Sequence, residues 1–212
     1  MKKNKLVLLG GGGHCKACID VIEREDKYEI IGILDKSELK GTKVLDYNII
    51  GEDKDIKSYV DLGCSFLITV GQIKSVNKRI ELFNLLAQYS AKLAIIKSPN
   101  AVISKDSTLG VGTIVMNGAH INPDTYIGMN SIINTGSDIE HDVVIGDHTH
   151  ISSHVVVNGN SIIGNGVFIG SGSIIINQVS ISDKIIVGAG SVVVDSLIDN
   201  GIYVGVPAHK IK

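Results

Sequence analysis

Aromatic residues and cysteine are scarce in this 212-residue sequence, which has no tryptophan, three phenylalanines and three cysteines. An odd and small number of cysteines excludes the disulfide framework of a small secreted domain. The formal charge is -2, and no block rich in lysine and arginine is present, which argues against a nucleic-acid partner. The first apolar run, Leu6 to Leu9, is too short for a signal peptide, and no run approaches membrane-spanning length. These absences predict a cytoplasmic protein with no membrane partner.

Glycine, isoleucine and valine are abundant, and from residue 103 they follow a six-residue period. Sixteen consecutive hexads carry an aliphatic residue in the same place, namely Ile103, Leu109, Val115, Ile121, Ile127, Ile133, Ile139, Ile145, Ile151, Val157, Ile163, Ile169, Ile175, Ile181, Val187 and Val193. The residue four places later is Ser, Thr, Ala or Val in fourteen of fifteen cases. Such a fixed period predicts a solenoid in which three hexads close one coil and the aliphatic residues point inward. Glycines that follow the aliphatic position, such as Gly110 and Gly128, are expected to supply turn conformations.

The first hundred residues alternate between two other patterns. Short apolar runs such as "KLVLL", "YEIIGILD" and "CSFLITV" predict strands, and "CKACIDVIERED" and "SVNKRIELFNLLAQYS" predict amphipathic helices. This alternation predicts a small parallel α/β sheet of Rossmann-like type. We therefore expect an α/β domain over residues 1–98, the solenoid over 99–197 and a tail over 198–212.

Four glycines, Gly10 to Gly13, stand between the first strand and the first helix. Such a turn lets a phosphate approach the free N–H groups at a helix N-terminus. Asp35 ends the second strand, where an acid in such folds often meets a ribose hydroxyl. The dinucleotide fingerprint G-x-G-x-x-G fails, because it would need a glycine at Cys15 or Lys16. The pattern thus favours a nucleotide or nucleotide-sugar site over NAD, and a tight turn without a ligand stays an alternative.

Two groups of residues with metal-binding potential are present. Cys15 and Cys18 form C-x-x-C, but no second pair completes a zinc site, so we interpret both as apolar residues of the first helix. Four of the seven histidines fall within "IEHDVVIGDHTHISSHVVVNGN", residues 139–160. None of the four lies one coil above another, so convergence on a metal is not expected. An imidazole, with a pKa of about 6.5, can instead act as a base at neutral pH.

Several motifs together carry a resemblance that covers essentially the whole chain. They are "GGGGH", "GILDK", "ITVG", "NTGSDIEHDVVIGDHTHIS" inside the hexad frame, and "YVGVPAHKI". With them the sequence resembles the sugar O-acyltransferases of the sialic acid O-acetyltransferase type, a hexapeptide-repeat family that includes N-acetyltransferases of nucleotide-linked 4-amino sugars. The resemblance implies a left-handed parallel β-helix, acetyl-CoA as co-substrate, no metal, and a homotrimer with active sites between neighbouring subunits.

The resemblance also implies residue roles. His141 would be the general base, and Asp142 would orient its imidazole. Acetyl-CoA would be bound by His150, Gly159, Gly188, Ala189 and Gly190. The nucleotide sugar would be bound by Gly10, Gly12, Gly13, His14, Asp35, Lys36 and Gly71. Relatives often carry an arginine near the position of Asn77, and this chain has Arg79 instead.

The function that follows is acetyl transfer to the amino group of a dTDP-, UDP- or GDP-linked 4-amino-4,6-dideoxy sugar, a reaction of surface-polysaccharide (O-antigen) synthesis. Because none of the cysteines lies in the repeat, direct transfer is expected rather than an acyl-cysteine route. One alternative is O-acetylation of a sialic acid, since Lys36 would suit an acidic acceptor. Another is a non-catalytic nucleotide-sugar scaffold. His148 and His154 are expected at the surface or a trimer interface, and no role is expected for His120 and His209.

Overall fold

The computed structural model describes residues 3–212, and its N-terminal part is a six-stranded sheet with helices on both faces. The strands are β1 (Asn4–Leu9), β2 (Tyr28–Leu34), β3 (Lys43–Val44), β4 (Tyr47–Gly51), β5 (Ser65–Ile68) and β6 (Lys92–Leu93). The helices are α1 (Gly13–Glu25), α2 (Ile56–Asp61) and α3 (Asn77–Gln88). The strand order is β3-β4-β2-β1-β5-β6, and every pair except β3–β4 is parallel. The predicted α/β domain is confirmed.

The apolar stripe of α1 explains its place in the fold. Cys15, Cys18 and Ile22 are fully buried and pack with Leu6 and Leu8 of β1. Both cysteines are free thiols, and burial raises the pKa of Cys15 to about 11. They are core residues of α1, as predicted, and such protonated thiols are unreactive.

From Ile96 onward the chain is a left-handed parallel β-helix of short strands. They are β7 (Ile96–Lys97), β8 (Val102–Ile103), β9 (Thr108–Leu109), β10 (Ile114–Val115), β11 (His120–Ile121), β12 (Tyr126–Ile127), β13 (Ile132–Ile133), β14 (Asp138–Ile139), β15 (Val144–Ile145), β16 (His150–Ile151), β17 (Val156–Val157), β18 (Ile162–Ile163), β19 (Phe168–Ile169), β20 (Ile174–Ile175), β21 (Ser180–Ile181), β22 (Ile186–Val187), β23 (Val192–Val193), β24 (Ile202–Val204) and β25 (His209–Lys210). Three sheets result: the first joins β7, β10, β13, β16, β19, β22, β24 and β25, the second β8, β11, β14, β17, β20 and β23, and the third β9, β12, β15, β18 and β21. The first sheet thus starts before the expected boundary at residue 99, and β24 and β25 of the tail extend it.

The hexad pattern accounts for the solenoid core. Fourteen of the sixteen aliphatic positions are buried, and only Ile103 and Leu109, in the first coil, are partly exposed. The residues four places later are buried as well, except Ser107 in the first coil, and six of them donate their hydroxyl to a carbonyl oxygen fifteen residues on, at 2.7 to 3.0 Å. These bonds satisfy groups that would otherwise be buried without partners.

The three sheets give the solenoid the shape of a triangular prism, and the turns between sheets form its corners. The corners have a period that the sequence did not reveal. In fourteen consecutive hexads the residue three places after the aliphatic position has a positive φ, at Gly112, Gly118, Asp124, Asn130, Gly136, Asp142, His148, His154, Asn160, Gly166, Gly172, Gln178, Lys184 and Gly190. Glycine adopts this left-handed conformation freely, and Asn, Asp and His adopt it more readily than other residues do.

The glycines that follow the aliphatic position do something other than what was predicted. Gly110, Gly128 and Gly146 do not have a positive φ. A Cβ at Gly128 would lie 2.6 Å from the backbone carbon of Gly146, and one at Gly110 would lie 2.5 Å from that of Gly128. The prediction that they supply turn conformations is therefore wrong. They allow successive coils to stack closely.

The α/β domain packs on the first solenoid sheet. Ile96, Ile114 and Ile132 of that sheet join the core around α1. Arg79 of α3 is 1% exposed and donates to the carbonyl oxygens of Ile68, Val70 and Asn130 at 2.7 to 3.1 Å. Burial lowers the pKa of Arg79 to about 10. Over residues 3–212, no helix is long and apolar enough to cross a membrane.

Candidate active site

A cleft of about 640 Å³ opens at the carboxyl ends of β1, β2, β4 and β5. Open α/β sheets bind ligands at this edge. All seven residues predicted to bind the nucleotide sugar line the cleft, namely Gly10, Gly12, Gly13, His14, Asp35, Lys36 and Gly71. The volume lies within the range of small-molecule sites.

The N-terminus of α1 forms one wall of the cleft. Its N-cap residue is Gly12, which has no side chain to cap the helix, and the first turn holds no acidic residue. A Cβ on Gly12 or Gly13 would meet nothing within 4 Å, so neither glycine is required by internal packing. Free N–H groups and the helix dipole at this point favour an anion such as a phosphate.

Asp35 is fixed beside the glycine turn. One carboxylate oxygen accepts the N–H of Gly11 at 2.5 Å, and the other accepts the N–H of Lys36 at 2.7 Å. These bonds hold the carboxylate at the end of β2, facing the same cleft.

Two histidines lie between the cleft and the solenoid: His14, which is partly buried and lines the cleft, and His150, which is buried. Burial lowers the pKa of His14 to about 3 and that of His150 to about 4, so both are neutral. Their ring centroids are 6.3 Å apart. His150 Nδ1 donates to the carbonyl oxygen of Gln72 at 2.7 Å, and its Nε2 accepts from Asn134 Nδ2 at 3.1 Å. Because the ring of His150 is 6% exposed and bonded within the chain, it joins the domains. Contact with acetyl-CoA stays a prediction.

His141 lies in a different environment, at the corner between the second and third sheets. Its side chain is 56% exposed, and Nδ1 lies 2.7 Å from Asp142 Oδ2. This hydrogen bond raises the pKa of His141. The ring lies against Gly159 of the next coil, where a Cβ would be 2.8 Å from Cε1 and 3.0 Å from Nε2 of His141. An imidazole with one nitrogen on a carboxylate and the other free has the arrangement of a general base.

Comparison with known proteins agrees with this architecture. The PglD N-terminal domain family matches residues 5–84, and the bacterial transferase hexapeptide family, with six repeats, matches residues 124–159. A perosamine N-acetyltransferase from Caulobacter crescentus, solved with CoA and GDP-perosamine and with one histidine replaced by asparagine, is 30% identical, with a TM-score of 0.91 over 99% of this chain and 97% of that one. The chain belongs to the hexapeptide-repeat sugar acyltransferases with a PglD-type N-terminal domain.

Two further structures are similar to this acyltransferase. The acetyltransferase domain of PglB from Neisseria gonorrhoeae, solved with acetyl coenzyme A, is 26% identical, with a TM-score of 0.92 over 99% of this chain and 100% of that one. AntD, an N-acyltransferase from Bacillus cereus solved with dTDP and 3-hydroxybutyryl-CoA, is 27% identical, with a TM-score of 0.53 over 56% of this chain and 79% of that one. None of the curated proteins matches the sequence.

The residues predicted to bind acetyl-CoA are not all brought together within one chain of the acyltransferase. Gly159 shares the corner of His141. Gly188, Ala189 and Gly190 lie between β22 and β23, at the corner between the first and second sheets. His150 lies on β16 of the first sheet, so the five predicted residues are spread over separate positions on one prism.

The remaining histidines differ from one another in their surroundings. His148, expected at the surface or a trimer interface, is partly buried within the chain: its Nδ1 lies 2.9 Å from Asn130 Nδ2, and its ring packs edge-on against Phe83 of α3. It therefore helps to dock the two domains. His154 is exposed at its corner, and His120 and His209 are exposed on β11 and β25.

Three residues that sequence reasoning did not single out belong to this region. Gln72 donates to the carbonyl oxygens of Gly166 and Val167. Asn134 Nδ2 donates to His150 Nε2, and Asn130 Oδ1 accepts a hydrogen bond from Arg79. Their contacts link positions 16 to 95 residues apart, so no local pattern points to them.

Proposed function

We propose that this chain is an acetyl-CoA-dependent N-acetyltransferase that acts on the amino group of a nucleotide-linked 4-amino-4,6-dideoxy sugar. The observation that carries the proposal is the pairing of an exposed, carboxylate-bound imidazole at 141 with a separate glycine-lined cleft of nucleotide-sugar size. The similar Caulobacter structure, with CoA and GDP-perosamine, supports it.

In the proposed reaction the sugar amine attacks the thioester carbonyl while Nε2 of His141 accepts a proton from the amine. Asp142 accepts the Nδ1 hydrogen bond and stabilises the imidazolium that forms. The tetrahedral intermediate then collapses, the C–S bond breaks, and the imidazolium returns the proton to the CoA thiolate. The products are the amide and free CoA, and the protein forms no covalent bond. Gly159, His150 and Gly188 to Gly190 would bind acetyl-CoA.

The position of His141 supports a site built from two subunits. The α/β domain covers the first sheet, whereas His141 is at the corner between the other two sheets, on the far side of the prism. This placement favours a site in which the cleft of one chain presents its ligand to the imidazole of a neighbouring chain. The third sheet beside this corner exposes Tyr126, Val144 and Ile162 by 46%, 40% and 51%, an apolar stripe suited to a subunit contact. We propose a homotrimer in which the cleft of one subunit faces His141 of the next.

The test is the rate of thiol release from acetyl-CoA with a panel of dTDP-, UDP- and GDP-linked amino sugars. His141→Ala should lower kcat by about 100-fold or more without changing the oligomer, since general bases contribute this much. His120→Ala, an exposed histidine on the second sheet, is the matched control and should keep the parent rate. A His141→Ala enzyme with near-parent activity would refute the assignment.

The same panel separates the alternatives. Lys36 lines the cleft beside Asp35, which would favour an acidic acceptor, so free sialic acid belongs in the panel as the substrate of an O-acetyltransferase. A scaffold without activity should show no heat on titration with acetyl-CoA.

A further inference from the structure

Because the strands lie side by side in a fixed order, the residues at their carboxyl ends line successive regions of the cleft. The glycine turn follows β1, Asp35 follows its neighbour β2, and Glu52 and Asp53 follow β4, which lies beyond β2. A ligand that placed its phosphates on the glycine turn and its ribose beside Asp35 would therefore reach Asp53 with its far end. For a nucleoside diphosphate that end is the base.

An ion pair spans this far end. Lys78, in the first turn of α3, donates to Asp53 Oδ2 at 3.1 Å, and both side chains line the cleft. They are 49% and 37% exposed, so their remaining hydrogen-bonding capacity is accessible to a ligand. The turn that carries Asp53 is fixed by a capping box between Glu52 and Asp55, and Lys78 is also held by Glu81 at 2.8 Å.

The cleft that contains this pair also has apolar walls. Leu34 and Leu82 line it, and so does Ile73, which is 66% exposed. Apolar walls with a few fixed polar groups are typical of sites for flat ligands.

We infer that Asp53 and Lys78 form hydrogen bonds with the base of the nucleotide and select a base with adjacent N–H and C=O groups on its edge. This inference rests on the proposed function, because it assumes that a nucleotide occupies the cleft. A carboxylate can only accept and an ammonium can only donate, so Asp53 takes the ring N–H and Lys78 donates to the carbonyl. Guanine, uracil and thymine present this edge. Adenine and cytosine present a ring acceptor beside an amino group, which reverses the order. Guanine and thymine are the bases of the ligands in two of the similar structures.

The test is calorimetric titration of the full-length protein with GDP, UDP, dTDP, ADP and CDP. One of the first three should bind at least about tenfold more tightly than ADP and CDP, the usual scale for a paired base edge. Asp53→Asn should weaken that nucleotide by about tenfold and leave the weak ones unchanged. Exchanging the pair, with Asp53→Lys and Lys78→Asp together, keeps the ion pair but reverses donor and acceptor, and should abolish the preference.

Glu81→Gln is the control, because it removes the second partner of Lys78 outside the cleft and should keep the preference. Equal weakening of all five nucleotides by Asp53→Asn, or a preference that survives the exchange, would overturn the inference while leaving the cleft as a nucleotide site. If none of the five binds the parent protein, the proposed function fails with it.

Discussion

Replacing Gly159 by alanine tests the position of the catalytic imidazole without touching the imidazole. The added Cβ would lie 2.8 Å from Cε1 of His141, about 0.6 Å inside the shortest ordinary contact of 3.4 Å. Backbone stacking fixes Gly159, whereas the ring is 56% exposed, so the ring must move outward. Displacements of about 1 Å can cost catalysis about 100-fold, so we expect kcat to fall by about 10- to 100-fold.

The measurement is the rate of thiol release at saturating acetyl-CoA and nucleotide sugar, with the thermal midpoint as a control. Because the ring can move into solvent, the midpoint should change by no more than about 4 °C. In a His141→Ala background the same change should have little further effect, since the ring that it displaces is gone.

Two results would contradict this reasoning. Gly159→Ala at the parent rate would show that the ring position seen here does not matter for catalysis. A raised KM for acetyl-CoA with kcat unchanged, or an equal loss in the His141→Ala background, would show that Gly159 acts through acetyl-CoA binding alone and not through the position of the ring.

Three other predictions concern the core, the domain junction and pH. Gly128→Ala should lower the free energy of unfolding, measured in urea, by about 1–3 kcal/mol, because the added Cβ would meet the next coil. Gly172 lies at a corner with φ of 70° and open space, so Gly172→Asn should lower it by less than about 1 kcal/mol. Arg79→Met should lower the free energy of unfolding by about 3 kcal/mol or more in the same assay, because Asn130 and the carbonyl oxygens of Ile68 and Val70 lose a buried donor. Asp142 raises the pKa of His141 above 6.5, so kcat/KM should rise with pH through a value above 6.5, and Asp142→Asn should move that limb to lower pH. An unshifted limb in the variant would exclude Asp142 as the cause.

The solenoid could be predicted because its information is local and repeated. Each inward position, such as Ile133 or Ile151, is aliphatic for the same reason, so sixteen repeats reinforce one another. The corners could not be predicted in the same way, because the positive φ is shared by residues as different as Gly136, Asp142 and Lys184. The corner residues share a backbone conformation rather than a chemical property. The glycines that stand out in the sequence, such as Gly110 and Gly128, directly follow the aliphatic position and do not lie at the corners.

The two parts of the site differ in the same way. The cleft residues were predictable because parallel strands bring the ends of β1, β2 and β5 to one edge whatever the details of packing. The junction was not predictable, because the contact between Arg79 and Asn130 joins positions 51 residues apart and depends on how the two domains meet. The contact of His148 with Phe83 could not be predicted for the same reason, since nothing in its hexad indicates that α3 packs against it.

Asp142 shows how one position can serve both the fold and the chemistry. It occupies a corner with φ of 59°, a conformation that Gly, Asn and Asp tolerate and that longer acids adopt at a cost. Among these three, only aspartate provides a carboxylate for Nδ1 of His141, and the corner places that carboxylate 2.7 Å away. Gly159, one coil on, has no Cβ where the ring lies, so the backbone conformation on one coil and the missing side chain on the next together determine where the imidazole is held.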